Sequence, residues 1–360
     1  MDKIKHFIDV VVPVSSCTLR CSYCYVTHHR LFDSKLPTYP FSVETWRKAL
    51  EPKRWGGVCL LNFCAMGETL LSPELIDYIR VSLELGHYVM VVTNATVDKS
   101  IQKMAAFDKE LLERLFFKFS FHYQQLTERN LVDRFFRNVR TMRDAGASFT
   151  VEVTPHDELI PQIESIKELV YREVGAWPHI TVARDERDMA GLPLLTRLSK
   201  QEYQQTWGVF DSALFDFKIH IYGERRREFC HAGQWLHYLS MTTGRLHPCY
   251  NQPYSQDILS DPTCKIHFHP VGHFCRQPHC FNGHTWLGLG AIPSVVGPTY
   301  TEMRNRNCAD GTEWLQPKMK SAMETKLWKN HPTLPFWEKL KADAFVFGML
   351  VRNKINANSK

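Results

Sequence analysis

Six short apolar runs alternating with helical stretches constrain this chain more than any other feature. Residues 8–15, 58–64, 88–94, 116–122, 148–154 and 179–184 are rich in β-branched or aromatic side chains, the composition of buried strands. Between them lie helical patterns at 42–50, 72–85, 100–115, 131–145 and 159–174, with Ser42 and Ser72 as N-caps and Gly86 and Gly146 as stops. Strand and helix alternating at this spacing imply parallel strands joined by right-handed crossovers. The pattern alone admits both an open doubly wound sheet and a barrel.

Cys17, Cys21 and Cys24 follow the first run, in the loop at a strand's C-terminal end where α/β barrels keep their chemistry. Three thiolates on one short loop hold three corners of a metal cluster and leave the fourth open, as a catalytic metal site requires. The alternative is zinc, with His28 as a fourth ligand. A chain of 360 residues with 44% hydrophobic side chains has room for one large domain and a smaller one. Its net charge of +6 is dispersed apart from Arg225, Arg226 and Arg227, a cluster that reads as a solvated turn and not a nucleic-acid footprint. The first apolar stretch carries Asp9 and Pro13 and is too short to span a membrane. Eleven cysteines, an odd number with no secretory segment before them, read as metal ligands or free thiols in a reducing cytoplasm.

Cys-x3-Cys-x2-Cys with Tyr23 before the last cysteine resembles the signature of the radical S-adenosylmethionine (SAM) enzymes. The resemblance implies that Cys17, Cys21 and Cys24 bind a [4Fe-4S] cluster whose open iron is chelated by SAM. One electron, from a donor such as flavodoxin or ferredoxin, would then cleave SAM to methionine and a 5′-deoxyadenosyl radical. It also favours a partial (β/α)6 TIM-like barrel. After the second run, residues 65–69 read Ala-Met-Gly-Glu-Thr, similar to the family's Gly-Gly-Glu-Pro. Gly67 and Glu68 match, whereas Met66 and Thr69 depart from it. By resemblance this backbone and Glu68 take the SAM amino group, a pairing of amine with carboxylate that simple electrostatics also favours. Thr93 and Asn94 close the third run in a family-like pattern. Ser120 and His122 close the fourth, where by resemblance they would reach the ribose or substrate, and Arg184 after the sixth would meet the SAM carboxylate; a barrel-lining or surface role is the alternative for these three.

A second cysteine set follows. Residues 239–249 read as a hairpin turning at Thr243 and Gly244, with Cys230 and Cys249 at its flanks. Cys275 and Cys280 come next, and Cys264 lies between. Cys-x13-Gly-x4-Cys is similar to the opening of SPASM and twitch domains, which implies an auxiliary cluster held by Cys230, Cys249, Cys275 and Cys280 in the shorter, twitch-type arrangement. A structural zinc drawing on His231, His247, His279 or His284 is the alternative. The expected organisation is a core barrel over 1–195, a bridge over 196–222, the auxiliary domain over 223–295 and a helical tail over 296–360 with 353–360 frayed. The substrate implied is a small polyhydroxylated molecule, sugar or aminocyclitol-like, which is oxidised or epimerised. A peptide substrate and a non-catalytic zinc adaptor are the alternatives. His122 is a candidate base and Cys64, ending the second run, a candidate hydrogen-atom donor.

Overall fold

The computed structural model describes residues 3–358 other than 251 and 253. Its centre is a nine-stranded sheet in the order β6-β5-β4-β3-β2-β1-β7-β8-β9. The strands are β1 (His6–Val12), β2 (Cys59–Ala65), β3 (Tyr88–Thr93), β4 (Leu115–Ser120), β5 (Ser148–Val153), β6 (His179–Ile180), β7 (Leu236–Ser240), β8 (Arg245–His247) and β9 (Gln256–Asp257). β1 to β6 pair in parallel, each with its sequence neighbour. This is the expected α/β class, a partial (β/α)6 barrel with helices at the C-terminus. β7 adds in parallel on the free edge of β1, and β8 and β9 follow antiparallel. The sheet therefore runs unbroken into the residues read as a second domain.

Strand parity explains where chemistry can sit. On one face Ile8, Val10, Leu61, Phe63, Val91, Phe117, Phe119 and Val151 belong to the larger apolar core, together with Trp46, Ile79, Ile101, Phe135, Val139 and Ile166 from the surrounding helices. The opposite face is divided. Phe7, Leu60, Tyr88, Met90 and Phe116 form an apolar floor with Leu214, Trp286, Tyr300, Met303 and Met319 from beyond β6. Further along the same strands the residues turn polar, and register aligns them: Asp9 beside Asn62, Lys118 beside Thr150, Ser120 beside Glu152. Parallel strands are normally apolar on both faces, so this polar inner band is a departure that needs compensation.

Several expected boundaries shift for local reasons. β1 stops at Val12, because Pro13 has no N–H to continue a ladder. β6 keeps two residues of the expected six, since the Ala183 N–H goes to the Tyr203 hydroxyl at 3.2 Å instead of a strand partner. Ser42 caps the Val43–Ala49 helix by accepting from Thr45 N–H, whereas Ser72 caps nothing and the next helix begins at Leu75, after Pro73. The helix expected over 100–115 divides into Asp98–Ala105 and Lys109–Leu112. Gly146 stops the Val132–Ala145 helix in the left-handed region, the geometry glycine accepts freely. The final helix runs Phe336–Asn358, through most of the segment expected to fray; 359 and 360 lie outside the described residues. Among the described residues no helix is long and apolar enough to cross a membrane.

Phe117 is fully buried and stacks on Phe119 with ring centroids 5.3 Å apart. Phe117→Ala is expected to cost about 3–5 kcal/mol. Urea denaturation should show the midpoint falling with an unchanged m-value.

Candidate active site

The loop after β1 is clasped by the loop after β2. Gly67 N–H donates to the Val14 carbonyl at 2.9 Å and Glu68 N–H to the Ser16 carbonyl at 2.9 Å. A cavity of about 270 Å3 opens between them. Cys17, Cys21 and Cys24 line it on one side, and Met66, Gly67, Glu68, Thr93 and Asn94 on another. Tyr23, Ser120, His122 and Arg184 complete the wall. The fold thus brings together every residue that the sequence assigns to the first cluster and its cofactor.

Glu68 is buried, which raises its carboxyl pKa against the opposing pull of its hydrogen bonds. It accepts from Leu70 N–H at 3.0 Å, Thr93 hydroxyl at 2.5 Å and Asn94 N–H at 2.7 Å. A carboxylate has about four acceptor positions, so one remains for a ligand amine. Burial pushes the Cys17 thiol up to about 11 and Cys21 to about 12. Buried thiols of this kind ionise when a metal replaces their protons. Cys17 sulfur already accepts from Leu19 N–H at 3.5 Å and Asn94 Nδ2 at 3.7 Å, the kind of contact that tunes an iron–sulfur ligand. The donor set therefore fits a cluster with an open corner. His122 Nδ1 lies 2.5 Å from the Tyr23 hydroxyl, and burial with nearby His156 and Lys118 brings His122 down to about 4. It stands neutral beside the cysteine loop.

A second, inner cavity of about 490 Å3 shares Tyr25, Met66, Arg184 and Glu186 with the first. Cys64 lines it, its thiol pushed up to about 12 by burial and Asp9, so it keeps its S–H. Sequence reasoning missed most of the other polar groups here. Asp9 accepts from Asn62 Nδ2 at 2.7 Å and from the Tyr250 hydroxyl, which in turn accepts from Asn282 Nδ2 at 2.9 Å. Lys118 sits 3.1 Å from Glu152, whose other oxygen receives Arg304. Their signal was available: a charged or amide residue at the inward parity of an otherwise apolar strand.

The second cysteine set surrounds a third, apolar cavity lined by Cys230, Cys249, Cys275 and Cys280. Cys230 is bridged to Gly272, and Gly244 turns the β7–β8 hairpin with φ +67° toward Cys249. Burial raises the Cys249 thiol first, and charge on Cys280, Cys230 and Cys275 raises it further, so the four sulfurs are within electrostatic reach of one another. Tyr250, Phe281 and Asn282 line this cavity and the inner one alike. Arg184 spans the junction, donating to the Phe281 carbonyl at 3.0 Å and pairing with Glu186 at 2.7 Å. Among the described residues no three His, Cys, Asp or Glu side chains are arranged to hold a single metal ion. Cys59 is buried on β2, and Cys264 and Cys308 lie partly buried outside all three cavities.

Residues 11–170 match the model of the Radical SAM superfamily. No curated protein matches the chain. Among solved structures, Streptococcus suis SuiB bound to S-adenosylmethionine aligns at 12% identity and a TM-score of 0.49, over 72% of this chain and 65% of SuiB. The chain thus spans just under two thirds of SuiB. Native anSMEcpe with bound AdoMet aligns at 11% identity and a TM-score of 0.49, over 98% of this chain and 100% of that one. BtrN in complex with AdoMet and 2-DOIA aligns at 15% identity and a TM-score of 0.37, over 72% and 81%.

A Cβ on Gly67 would stand 2.0 Å from the Ser16 carbonyl oxygen and 2.7 Å from that of Ser15. Gly67→Ala must therefore spread the two loops, at a cost of about 1–3 kcal/mol. Hydrogen exchange should show protection lost at the amides of Gly67 and Glu68 first, while the Phe117–Phe119 stretch keeps its protection.

Proposed function

We propose that this chain, whose residues 11–170 match the Radical SAM superfamily model, is a radical SAM enzyme acting on a small polyhydroxylated substrate. The observation that carries this reading is the inner cavity: walled jointly with both cysteine-lined cavities, with Asp9, Asn62, Lys118, Glu186 and Tyr250 among the polar groups on its wall. When bound, the first cluster and SAM supply a 5′-deoxyadenosyl radical that abstracts hydrogen from an unactivated C–H bond. Cys17, Cys21 and Cys24 hold the cluster. Glu68, Thr93 and Asn94 orient the cofactor's polar end, with Tyr23, Met66, Gly67, Ser120 and Arg184 completing its enclosure. Cys230, Cys249, Cys275 and Cys280 would hold an auxiliary [4Fe-4S] cluster, which would supply the electron acceptor that an oxidised product requires. A flavodoxin or ferredoxin delivers the first electron. A peptide substrate would need an open channel into the same cavity.

A second outcome rests on Cys64. Its protonated thiol lines the inner cavity next to Ala65 and Met66, where it can give a hydrogen atom to a substrate carbon for epimerisation, leaving a thiyl radical that one electron from the auxiliary cluster and a solvent proton would restore. With the true substrate in deuterated water, an epimerase places deuterium in the product and Cys64→Ala stops turnover. Unlabelled product and unchanged turnover leave oxidation, the outcome we favour.

The class itself is tested without a substrate. Anaerobically reconstituted protein should be brown, carry about two [4Fe-4S] clusters per chain, and form 5′-deoxyadenosine when reduced with SAM. The Cys17, Cys21 and Cys24 to alanine triple variant should lose that activity and keep roughly half the iron. A colourless, zinc-loaded protein that leaves SAM intact would be a zinc adaptor instead.

A further inference from the structure

The inner cavity is not uniformly polar. Lys118, Arg304 and His284 line it without lining the cysteine-loop cavity. Lys218 stands close by, near enough that its charge acts on His284, and donates to the Thr181 hydroxyl instead of to a carboxylate. Each carboxylate within reach has a cation or a donor beside it. Glu152 lies between Lys118 and Arg304, with its Oε2 making no hydrogen bond although Lys118 stands 3.1 Å away, Glu186 is paired with Arg184, and Asp9 accepts from Asn62 and Tyr250.

Two buried nitrogens here have no partner. Arg304 is 1% exposed, spends its terminal nitrogens on Glu152 and the Tyr300 hydroxyl, and leaves Nε buried and unbonded. His284 is 7% exposed and its Nδ1 is likewise unbonded. Buried polar atoms almost always find partners, and leaving one unpaired is costly. A bound anion would accept from both.

Resting on the enzyme reading above, we propose that this end of the inner cavity binds an anionic group of the substrate, a phosphate monoester or a carboxylate, through Lys118, Arg304 and His284. A guanidinium with a free edge, an ammonium and an imidazole N–H give charge-assisted bonds of differing direction, which a compact anion satisfies and a neutral hydroxyl does not. These residues line the inner cavity and not the cysteine-loop cavity beside it, so the anion anchors the substrate while another part faces the cofactor.

The arrangement couples binding to protonation. Lys118 faces Glu152 on β5 and Asp9 on β1, which favour its ammonium, the protonated thiol of Cys64 on β2, and Arg304, Arg184, Lys218 and His284, which oppose it. Burial and Arg304 dominate and bring it down to about 7. An anion raises that value again. Below it the ammonium is already present and binding takes up no proton; above it each binding event takes up about one, and affinity falls by up to about tenfold per pH unit.

Titration calorimetry on the reconstituted full chain, with glucose 6-phosphate, glucuronate and glucose as probes, tests this. At pH 8 in two buffers of different ionisation heat, at least one anion should bind about tenfold or more tighter than glucose, with proton uptake near one per ligand. The tighter anion identifies the group. Lys118→Met should lose both the preference and the uptake, while Lys118→Arg keeps the preference and loses the uptake. His284→Leu should weaken anion binding severalfold and leave the uptake intact. Equal affinities for the three probes, no binding of either anion up to ~10 mM, or unchanged preference in Lys118→Met would overturn the proposal. SAM cleavage by the same wild-type sample is measured alongside. Its absence removes the enzyme reading, whereas the titration judges the anion site by itself.

Discussion

The pairing of β1 on both of its edges holds the arrangement together. β2 lies along one side, and β7 along the other in the register Phe7 with Leu236 through Val11 with Ser240. Because both pairings are parallel, all three strands end at the same rim. The loop after β1 carries Cys17, Cys21 and Cys24, the loop after β2 carries Gly67 and Glu68, and the hairpin after β7 leads to Cys249. β8 runs back antiparallel from that rim, with His247 beside Tyr238, so the chain has turned back past the level of Asp9 before it reaches Cys249. The polar cavity shares walls with both cysteine-lined cavities, and Arg184 on its wall contacts Glu186 and the Phe281 carbonyl.

The elements legible in the sequence were those written locally. Residues 58–64, 88–94, 116–122 and 148–154 became strands within a residue or two because β-branched and aromatic runs bury well on a sheet. The cysteine loop and the Gly67–Glu68 turn were legible because their residue types sit at fixed offsets from strand ends. Contacts between distant segments were not. Tyr250 reaches Asp9 across 241 positions and Arg304 reaches Glu152 across 152, and no local pattern encodes either meeting. Asp9 looked like a mere interruption of an apolar run; its meaning depends on a tyrosine supplied by the far end of the sheet. β6 shortened for the same reason, since its next amide found the Tyr203 hydroxyl from a helix further along the chain.

The inner band of Asp9, Asn62, Lys118 and Glu152 runs against what a buried parallel sheet prefers. Well-packed apolar side chains are often as stabilising as a buried ion pair, or more so. Breaks in local consistency of this kind are expected where function requires them. Here the break is compensated: Asp9 accepts from Asn62 and Tyr250, and Glu152 has Lys118 and Arg304 beside it. Arginine keeps its proton at any accessible pH, and lysine does not. Of the two cations sharing Glu152, Lys118 is therefore the one whose charge responds to what enters the cavity. A site so arranged is held in shape by Arg304 and Glu152, with Lys118 free to gain its proton as the ligand arrives.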